Sequence, residues 1–278
     1  MGLRDNGRRR DKAVSPAIST VIVTGIIVLL VTVAVTYASD LLVFRLAESE
    51  FNSAKQFMQT FALQIDNVAW TIGRTETSHY SGRYGQIAFN MALNYTIYIT
   101  TTNPYDWEEF YSNTTGILCF NMPVTYHSMG NNHFDQLYPS FNSGFLLDGA
   151  SAPSAKVFSV EKLPMTDGSF VRVVLMPALR MVNLTIGDTN YVRLYLPALS
   201  ETDVPDQSQS VTMTGKSVSK LGERITAFKI KVSFPKESDG FDSSFFNFPQ
   251  LEVQVPFTEE TVLELYVGEL DIGVGLHA

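Results

Sequence analysis

The chain has 278 residues, 45% of them hydrophobic and 17% charged, which is enough length and apolar content for one large core or two small ones. Its net charge is −8, but the first thirteen residues carry five basic and two acidic side chains, so the remainder carries a charge of −11. A basic tip followed by an acidic body excludes a nucleic-acid-binding protein, because no dense stripe of Lys and Arg follows the tip.

The first predicted element is a transmembrane helix. No charged residue occurs from Ala13 to Ser39, and the centre of this stretch is almost entirely Val, Ile, Leu, Thr and Ala. About 20 apolar residues span the hydrocarbon of a bilayer, so we predict one crossing at about residues 17–39. Basic residues collect on the cytoplasmic side, which keeps the tip inside and exports everything after Asp40. The predicted location is the cell membrane, single-pass, with the head outside.

The junction between the basic tip and the helix has an unusual order of residues. It reads Lys12, Ala13, Val14, Ser15, Pro16, so that charge ends abruptly and a Ser-Pro pair enters the apolar run. Ser is a good helix cap, and Pro is tolerated in the first turn. A cleaved secretory signal requires a shorter apolar region with a small-x-small site after it. An uncleaved signal anchor requires only a basic flank and a span, which are both present, but it does not explain the order of residues at this junction.

This junction resembles the leader of archaeal type IV pilins, whose class III signal peptides run from a basic residue through Ala or Gly and a hydrophobic residue to Ser-Pro-x-Ile. The resemblance covers residues 8–40. It implies that a prepilin peptidase removes the leader, 1–13, by cleaving between Ala13 and Val14, and that subunits form homo- or hetero-oligomers through the N-terminal helix. One residue departs from the bacterial pattern. Ile18 occupies the fifth mature position, where bacterial pilins carry a Glu that pairs with the preceding subunit.

A second helical pattern continues beyond the membrane, over residues 40–72. Apolar residues recur there at spacings of three, four and seven, with polar residues between them. The stripe comprises Phe44, Phe51, Ala54, Met58, Phe61, Ile65, Val68 and Ile72. It predicts either a helix that packs one face on its own head or an intermolecular coiled coil. Gly73 is the predicted stop of a helix that covers 14–73.

From residue 74 onward the apolar period changes to two, which indicates strands separated by glycine-containing turns. The predicted strands are Tyr95–Ile99, Ser169–Leu175, Tyr191–Leu196, Phe228–Val232 and Val262–Val267. No amphipathic helix alternates with them, so a parallel α/β layout is disfavoured. The predicted fold class is α+β, with a long N-terminal helix and an antiparallel, β-sandwich-like head over 74–278. The head is expected to form one module, or two that divide near 201–206.

Export makes three Asn-x-Thr sequons candidates for N-glycosylation, at Asn94, Asn113 and Asn183. Asn94 and Asn183 lie in or beside predicted strands and require an outward side chain. Asn113, beside Gly116 in a turn-like stretch, is the preferred candidate.

The sequence offers little for catalysis. Cys119 is the only cysteine, in an apolar run that predicts a buried thiol. His127 and His133 have no zinc-like spacing. No nucleophile, phosphate-binding or dinucleotide-binding motif is present in the sequence.

Two acidic segments have alternative interpretations. Glu237, Asp239 and Asp242 either hold calcium or form a solvated turn. The segment 106–111 combines acidic and aromatic side chains, as on a carbohydrate or partner surface, or under a packed loop.

These patterns favour a pilin-like structural or adhesive subunit of the cell surface, without enzyme activity, cofactor or metal. It is expected to occur in the membrane and, when assembled, in an extracellular filament. The alternative is a single-pass surface-binding protein that never polymerises and recognises a glycan or a protein.

Overall fold

The computed structural model describes residues 16–101, 106–141, 144–202 and 209–275. The predicted leader, 1–13, and the junction residues Val14 and Ser15 lie outside the described residues. The chain divides into two compact units, Met1–Leu46 and Ala47–Ala278.

The first element is one long helix, α1, Pro16–Val68, of 53 residues. Its first residue is the Pro of the Ser-Pro pair, at a position where the missing N–H costs no hydrogen bond. After Val68 the chain forms turns, and Gly73 adopts a positive φ of 79°, which glycine reaches without strain. Gly73 thus turns the chain where the pattern predicted, and the regular helix ends a few residues earlier.

The part of α1 that belongs to the second unit buries one face. The buried residues are Ala47, Phe51, Ala54, Met58, Phe61, Ala62, Ile65 and Val68. They form one cluster, here called the helix core, with sheet residues of the same unit such as Leu270 and Ile272. Over this range the stripe packs on the head of its own chain, which is the first of its two predicted roles. Its end residues are exposed, Phe44 by 45% and Ile72 by 68%.

The rest of the head is almost entirely β-structure. The described strands are β1 Thr75–His79, β2 Gln86–Thr100, β3 Glu108–Pro123, β4 His133–Tyr138, β5 Leu146–Asp148, β6 Ala155–Glu161, β7 Phe170–Pro177, β8 Leu179–Ile186, β9 Thr189–Glu201, β10 Ser210–Ser233 and β11 Glu252–Val274. A 3-10 turn, Glu237–Asp239, and a short helix, α2, Ser243–Phe246, separate β10 from β11. All five predicted strands are confirmed, since they lie in or overlap β2, β7, β9, β10 and β11. The predicted turns hold Gly168, Gly187 and Gly240 at positive φ.

The described strands form one sheet in the order β4-β6-β7-β3-β2-β10-β11-β9-β8-β5, with β1 beside β10. Most neighbours are antiparallel, as predicted, but the pairs β9–β11 and β5–β8 are parallel. The sheet curls on itself, because β3 and β9 meet although three strands separate them. Leu199 N–H donates to Thr115 Oγ1 at 2.8 Å. The sandwich part of the prediction is not confirmed, since the strands make one continuous sheet.

A bulge in β2 places the two halves of this strand in two separate cores. In β2, Phe89 belongs to the helix core, whereas Tyr95 belongs to the cluster enclosed by the curled sheet, here called the sheet core. Both are odd-numbered, and a regular strand would place them on one face. They face opposite ways because a bulge between Met91 and Leu93 shifts the register by one residue.

Strands on both sides of the predicted module boundary share this sheet. β9 ends at Glu201, β10 begins at Ser210, and both pair with β11. Residues 203–208 lie outside the described residues. The described strands on both sides of this boundary thus belong to one sheet and to one compact unit.

Candidate functional site

The first half of α1 presents an unusual surface. From Ile18 to Leu46, large apolar side chains are exposed on all sides of the helix, and the most hydrophobic stretch is 0% buried. Within the residues that the structure describes, this is the one helix long and apolar enough to cross a membrane. The chain thus carries a helix with the length and composition of a membrane span near its N-terminus.

The hydroxyl groups of this segment bond within the helix. Thr32 Oγ1 donates to Val28 O at 2.9 Å, and Thr36 Oγ1 donates to Thr32 O at 3.0 Å. A hydroxyl that bonds to its own helix brings no unsatisfied donor into lipid. Tyr37 is exposed near Asp40, the first charged residue of α1, and Tyr is enriched at membrane interfaces. The local chemistry therefore suits a lipid environment.

A carboxylate on the second half of α1 holds a loop of the head. Glu50 accepts backbone N–H bonds from Arg83, Tyr84 and Gly85 at 2.9 to 3.3 Å. Three successive N–H groups aimed at one anion form a nest, and such charge-assisted bonds are stronger than neutral ones. Gly85 is required there because a Cβ would overlap the Phe120 ring. The loop is fixed to the helix by charge and by close packing.

A second polar anchor lies near the end of α1. Asp66 accepts a bond from Ser154 Oγ at 2.6 Å and from Ser154 N–H at 3.2 Å, and Arg180 Nη1 lies 3.5 Å from its carboxylate. Together with Glu50 and the helix core, this anchor makes the last turns of α1 part of the head.

The three sequons differ in accessibility. Asn183, in β8, is exposed, whereas Asn94 Oδ1, in β2, is buried without a hydrogen-bond partner among the described residues. Asn113 is half-buried within β3, and the prediction of a turn there is wrong. Pairing with Tyr95 of β2 holds this stretch extended despite its turn-forming residues. Exposure favours Asn183 as the acceptor.

The acidic turn is held by protein contacts. Asp242 caps α2 by accepting bonds from Ser244 N–H at 2.8 Å and Phe245 N–H at 3.0 Å, and it pairs with Lys162 Nζ at 2.6 Å. Burial disfavours its charge, but the bonds from Lys162, Ser244 and Phe245 outweigh burial and lower the pKa of Asp242 to about 2. Among the described residues, no three His, Cys, Asp or Glu side chains converge on a metal-sized site. This geometry favours the solvated turn over calcium.

The aromatic side chains of segment 106–111 are packed. Lys229 Nζ lies 4.8 Å from the centroid of the Trp107 ring, while Phe110 and Tyr111 pack against the sheet core. The acidic residues Asp106, Glu108 and Glu109 remain exposed. The segment therefore resembles a packed loop and strand start more than an open binding face.

Cys119 and His127 serve packing. Burial raises the pKa of the Cys119 thiol to about 12, so the thiol stays protonated at neutral pH and is not a nucleophile. The His127 ring lies against Phe51, with centroids 4.9 Å apart, and burial lowers the pKa of His127. His133 lies at the start of β4.

One cavity opens where the sheet core reaches solvent. It is called the end cavity here, has a volume of about 470 Å³, and is lined by Asn183, Leu184, Thr185, Asn190, Tyr191, Val192, Phe257 and Thr261. Its floor is fixed, because Phe257 packs on the buried Phe228 with centroids 5.8 Å apart. Sequence reasoning missed this site, since its residues come from three strands. The sequon at Asn183 was the one signal that pointed to it.

A row of charged and aromatic side chains across four strands was also missed. Arg180, Tyr195, Tyr266 and Lys220 lie side by side on β8, β9, β11 and β10. The two Tyr rings stack with centroids 5.1 Å apart, and the cations lie 4.6 Å and 5.5 Å from them. Because the cations cover both ends of the stack, the row stabilises the sheet surface instead of offering a free ring face.

No protein-family model, no curated protein and no solved structure matches this chain. Its own residues and geometry therefore carry the functional assignment.

Proposed function

We propose that this chain is a pilin-like subunit of the cell surface. Its N-terminal helix is anchored in the membrane, its head lies outside the cell, and a prepilin peptidase removes residues 1–13 so that the helix can enter a type IV pilus-like filament. The observation that carries the proposal is the uncovered apolar surface of α1 from Ile18 to Leu46, directly after a junction that resembles that of archaeal pilins.

An apolar surface of this extent requires a cover. Soluble monomers rarely expose contiguous apolar patches above a few hundred Å², and the most hydrophobic stretch of this part of α1 is 0% buried. Lipid chains and the equivalent helices of other subunits provide the same apolar environment. A pilin uses both in turn, lipid before assembly and neighbouring helices after it.

Leader removal distinguishes the filament from a simple anchor. The first thirteen residues carry a net charge of +3, and burying such charges between packed helices costs several kcal/mol per ion. Lipid anchoring leaves the basic tip in the cytoplasm, where it is solvated, and requires no cleavage.

A tethered surface-binding protein is the second candidate. The end cavity favours it, because a head that only fills a filament has no need of an open pocket of about 470 Å³. In this case the leader stays in place and the head binds its ligand at the cell surface.

Intact mass spectrometry of the full chain from native membranes and from shed material tests the proposal. We expect a mature N-terminus at Val14, and a Lys12→Gln/Ala13→Phe double variant should keep the leader. An Arg4→Gln variant, which leaves the junction unchanged, should be processed normally and serves as the matched control. An intact leader on the native protein would refute filament assembly and leave the tethered protein. A start at Val14 makes imaging of filaments on cells the next measurement.

A further inference from the structure

The end cavity lies at the open end of the sheet core. At the other end, Phe234, Phe246 and Phe248 stack with centroids 5.2 to 6.3 Å apart and pack against the core. Phe234 directly follows β10, about 20 Å from Phe228 at ~3.3 Å per residue. Phe257 packs on Phe228 and lines the cavity. One end of the core is closed by aromatic rings, and the other presents a ring to solvent.

The strand register decides which side chains face the cavity. Asn183 is paired with Val192, and Val192 is buried in the sheet core. Asn190, two residues before Val192, is paired with Thr185 on one side and with Thr261 on the other. Directly paired residues project from the same face of a sheet. The four polar side chains therefore surround the cavity on the face that carries Phe257.

The chemistry of this lining selects the ligand. The eight lining residues are two Asn, two Thr and one each of Leu, Tyr, Val and Phe, so a charged ligand would find no counter-charge among them. Thr185 Oγ1 donates to Asn190 Oδ1 at 2.9 Å, which orients that amide. Amides and hydroxyls both donate and accept hydrogen bonds, and the volume of about 470 Å³ lies within the range of small-molecule sites.

We propose that the end cavity binds one neutral sugar ring. The C–H face of the sugar packs on Phe257, and its hydroxyls bond to the Asn and Thr side chains of the rim. Two sources fit this chemistry. One is a glycan attached to Asn183, whose sequon ends at Thr185, and the other is a glycan of another surface molecule. The proposal concerns the head alone and applies whether or not the subunits polymerise.

The first arm of the test determines whether the sugar is attached. Glycopeptide mass spectrometry of the full chain from native membranes should detect a sugar mass on the peptide that contains Asn183, and Asn183→Gln should remove it. If that sugar occupies the cavity, its enzymatic release from the folded protein should be about tenfold faster in Phe257→Leu, which removes the ring, than in Phe257→Tyr, which keeps it.

The second arm measures binding of free sugars. The full chain, made in a host without N-glycosylation and held in detergent micelles, is titrated with uncharged methyl glycosides and N-acetylglucosamine, and saturation-transfer NMR detects binding. We expect binding that is lost in Phe257→Leu, about three- to tenfold weaker in Asn190→Ala, and retained in Phe257→Tyr. Ile186→Ala, on the opposite face of the same hairpin and 52% exposed in the native protein, is the matched control.

The two arms distinguish a glycan attached to Asn183 from a glycan of another molecule, and they define the result that contradicts the proposal. A sugar mass on Asn183 with ring-dependent release identifies the attached glycan, and ring-dependent binding of a free glycoside identifies an external one. Two results together would overturn the proposal. The first is that no glycoside binds in a manner that depends on the Phe257 ring. The second is that the Asn183 peptide carries no sugar, or releases it at equal rates in both Phe257 variants. Near-UV circular dichroism of each variant verifies that the head is folded.

Discussion

Replacing Ile65 with Ala tests whether the second half of α1 is part of the head. Ile65 is 0% exposed in the helix core, whereas Leu63, two residues earlier on the same helix, is 52% exposed. The substitution removes three carbon groups worth about 0.8 kcal/mol each, and the remaining cavity adds to this loss. We expect Ile65→Ala to lower the free energy of unfolding by about 3–4 kcal/mol. Leu63→Ala removes the same number of atoms and should cost less than about 1 kcal/mol.

Thermal unfolding of the full chain in detergent micelles, followed by near-UV circular dichroism, measures this difference. For a unit of this size, each kcal/mol shifts Tm by about 2–4 °C, so Ile65→Ala should lower Tm by roughly 6–16 °C. Equal shifts in the two variants would refute packing of this face on the head. A Tm that rises with protein concentration in the native chain but not in Ile65→Ala would instead indicate an intermolecular coiled coil.

Two further substitutions test other parts of the head. Gly268→Ala should destabilise it by more than about 2 kcal/mol in urea unfolding, because a Cβ would overlap Ala69 O just after α1. Gly222→Ala, whose Cβ would meet Leu263 O at 3.6 Å, should change stability by less than about 0.5 kcal/mol, and similar effects of both would contradict the close approach at Gly268. Burial lowers the pKa of Lys156 to about 8, from 10.5, so the unfolded chain binds more protons between these values and stability should rise with pH across that window. Lys156→Met should abolish this rise in Tm values measured from pH 7 to 10.5, and equal slopes in the two proteins would show that the amine is solvated.

The elements with a local physical cause were predictable. An uncharged run of apolar residues indicates a helix of membrane length, because every backbone group in lipid has to be satisfied within the segment. Alternation with a period of two indicates a strand, and all five segments chosen on that basis lie in strands. Strands with weaker alternation were missed, among them β3, whose Asn113-Thr114-Thr115-Gly116 sequence suggested a turn.

The role of the helical stripe could not be decided from the sequence. The same spacing of Phe51, Met58 and Ile65 suits a partner helix or a sheet, because both partners present an apolar surface to one face of α1. The choice depends on side chains more than a hundred residues away, such as Leu270 and Ile272, which complete the helix core.

The sequence by itself determined the apolar helix of membrane-spanning length, the order of residues at its junction and the existence of a β-rich head, since each follows from the chemistry of neighbouring residues. Only the tertiary structure decided how the strands pair, where they change face and where the core opens. The bulge between Met91 and Leu93 redirects β2 from one core to the other, and a pattern of period two cannot reveal an inserted residue. The end cavity likewise exists only because β8, β9 and β11 bring Asn183, Asn190 and Phe257 together. Long-range pairing places these residues side by side, and no local propensity encodes it.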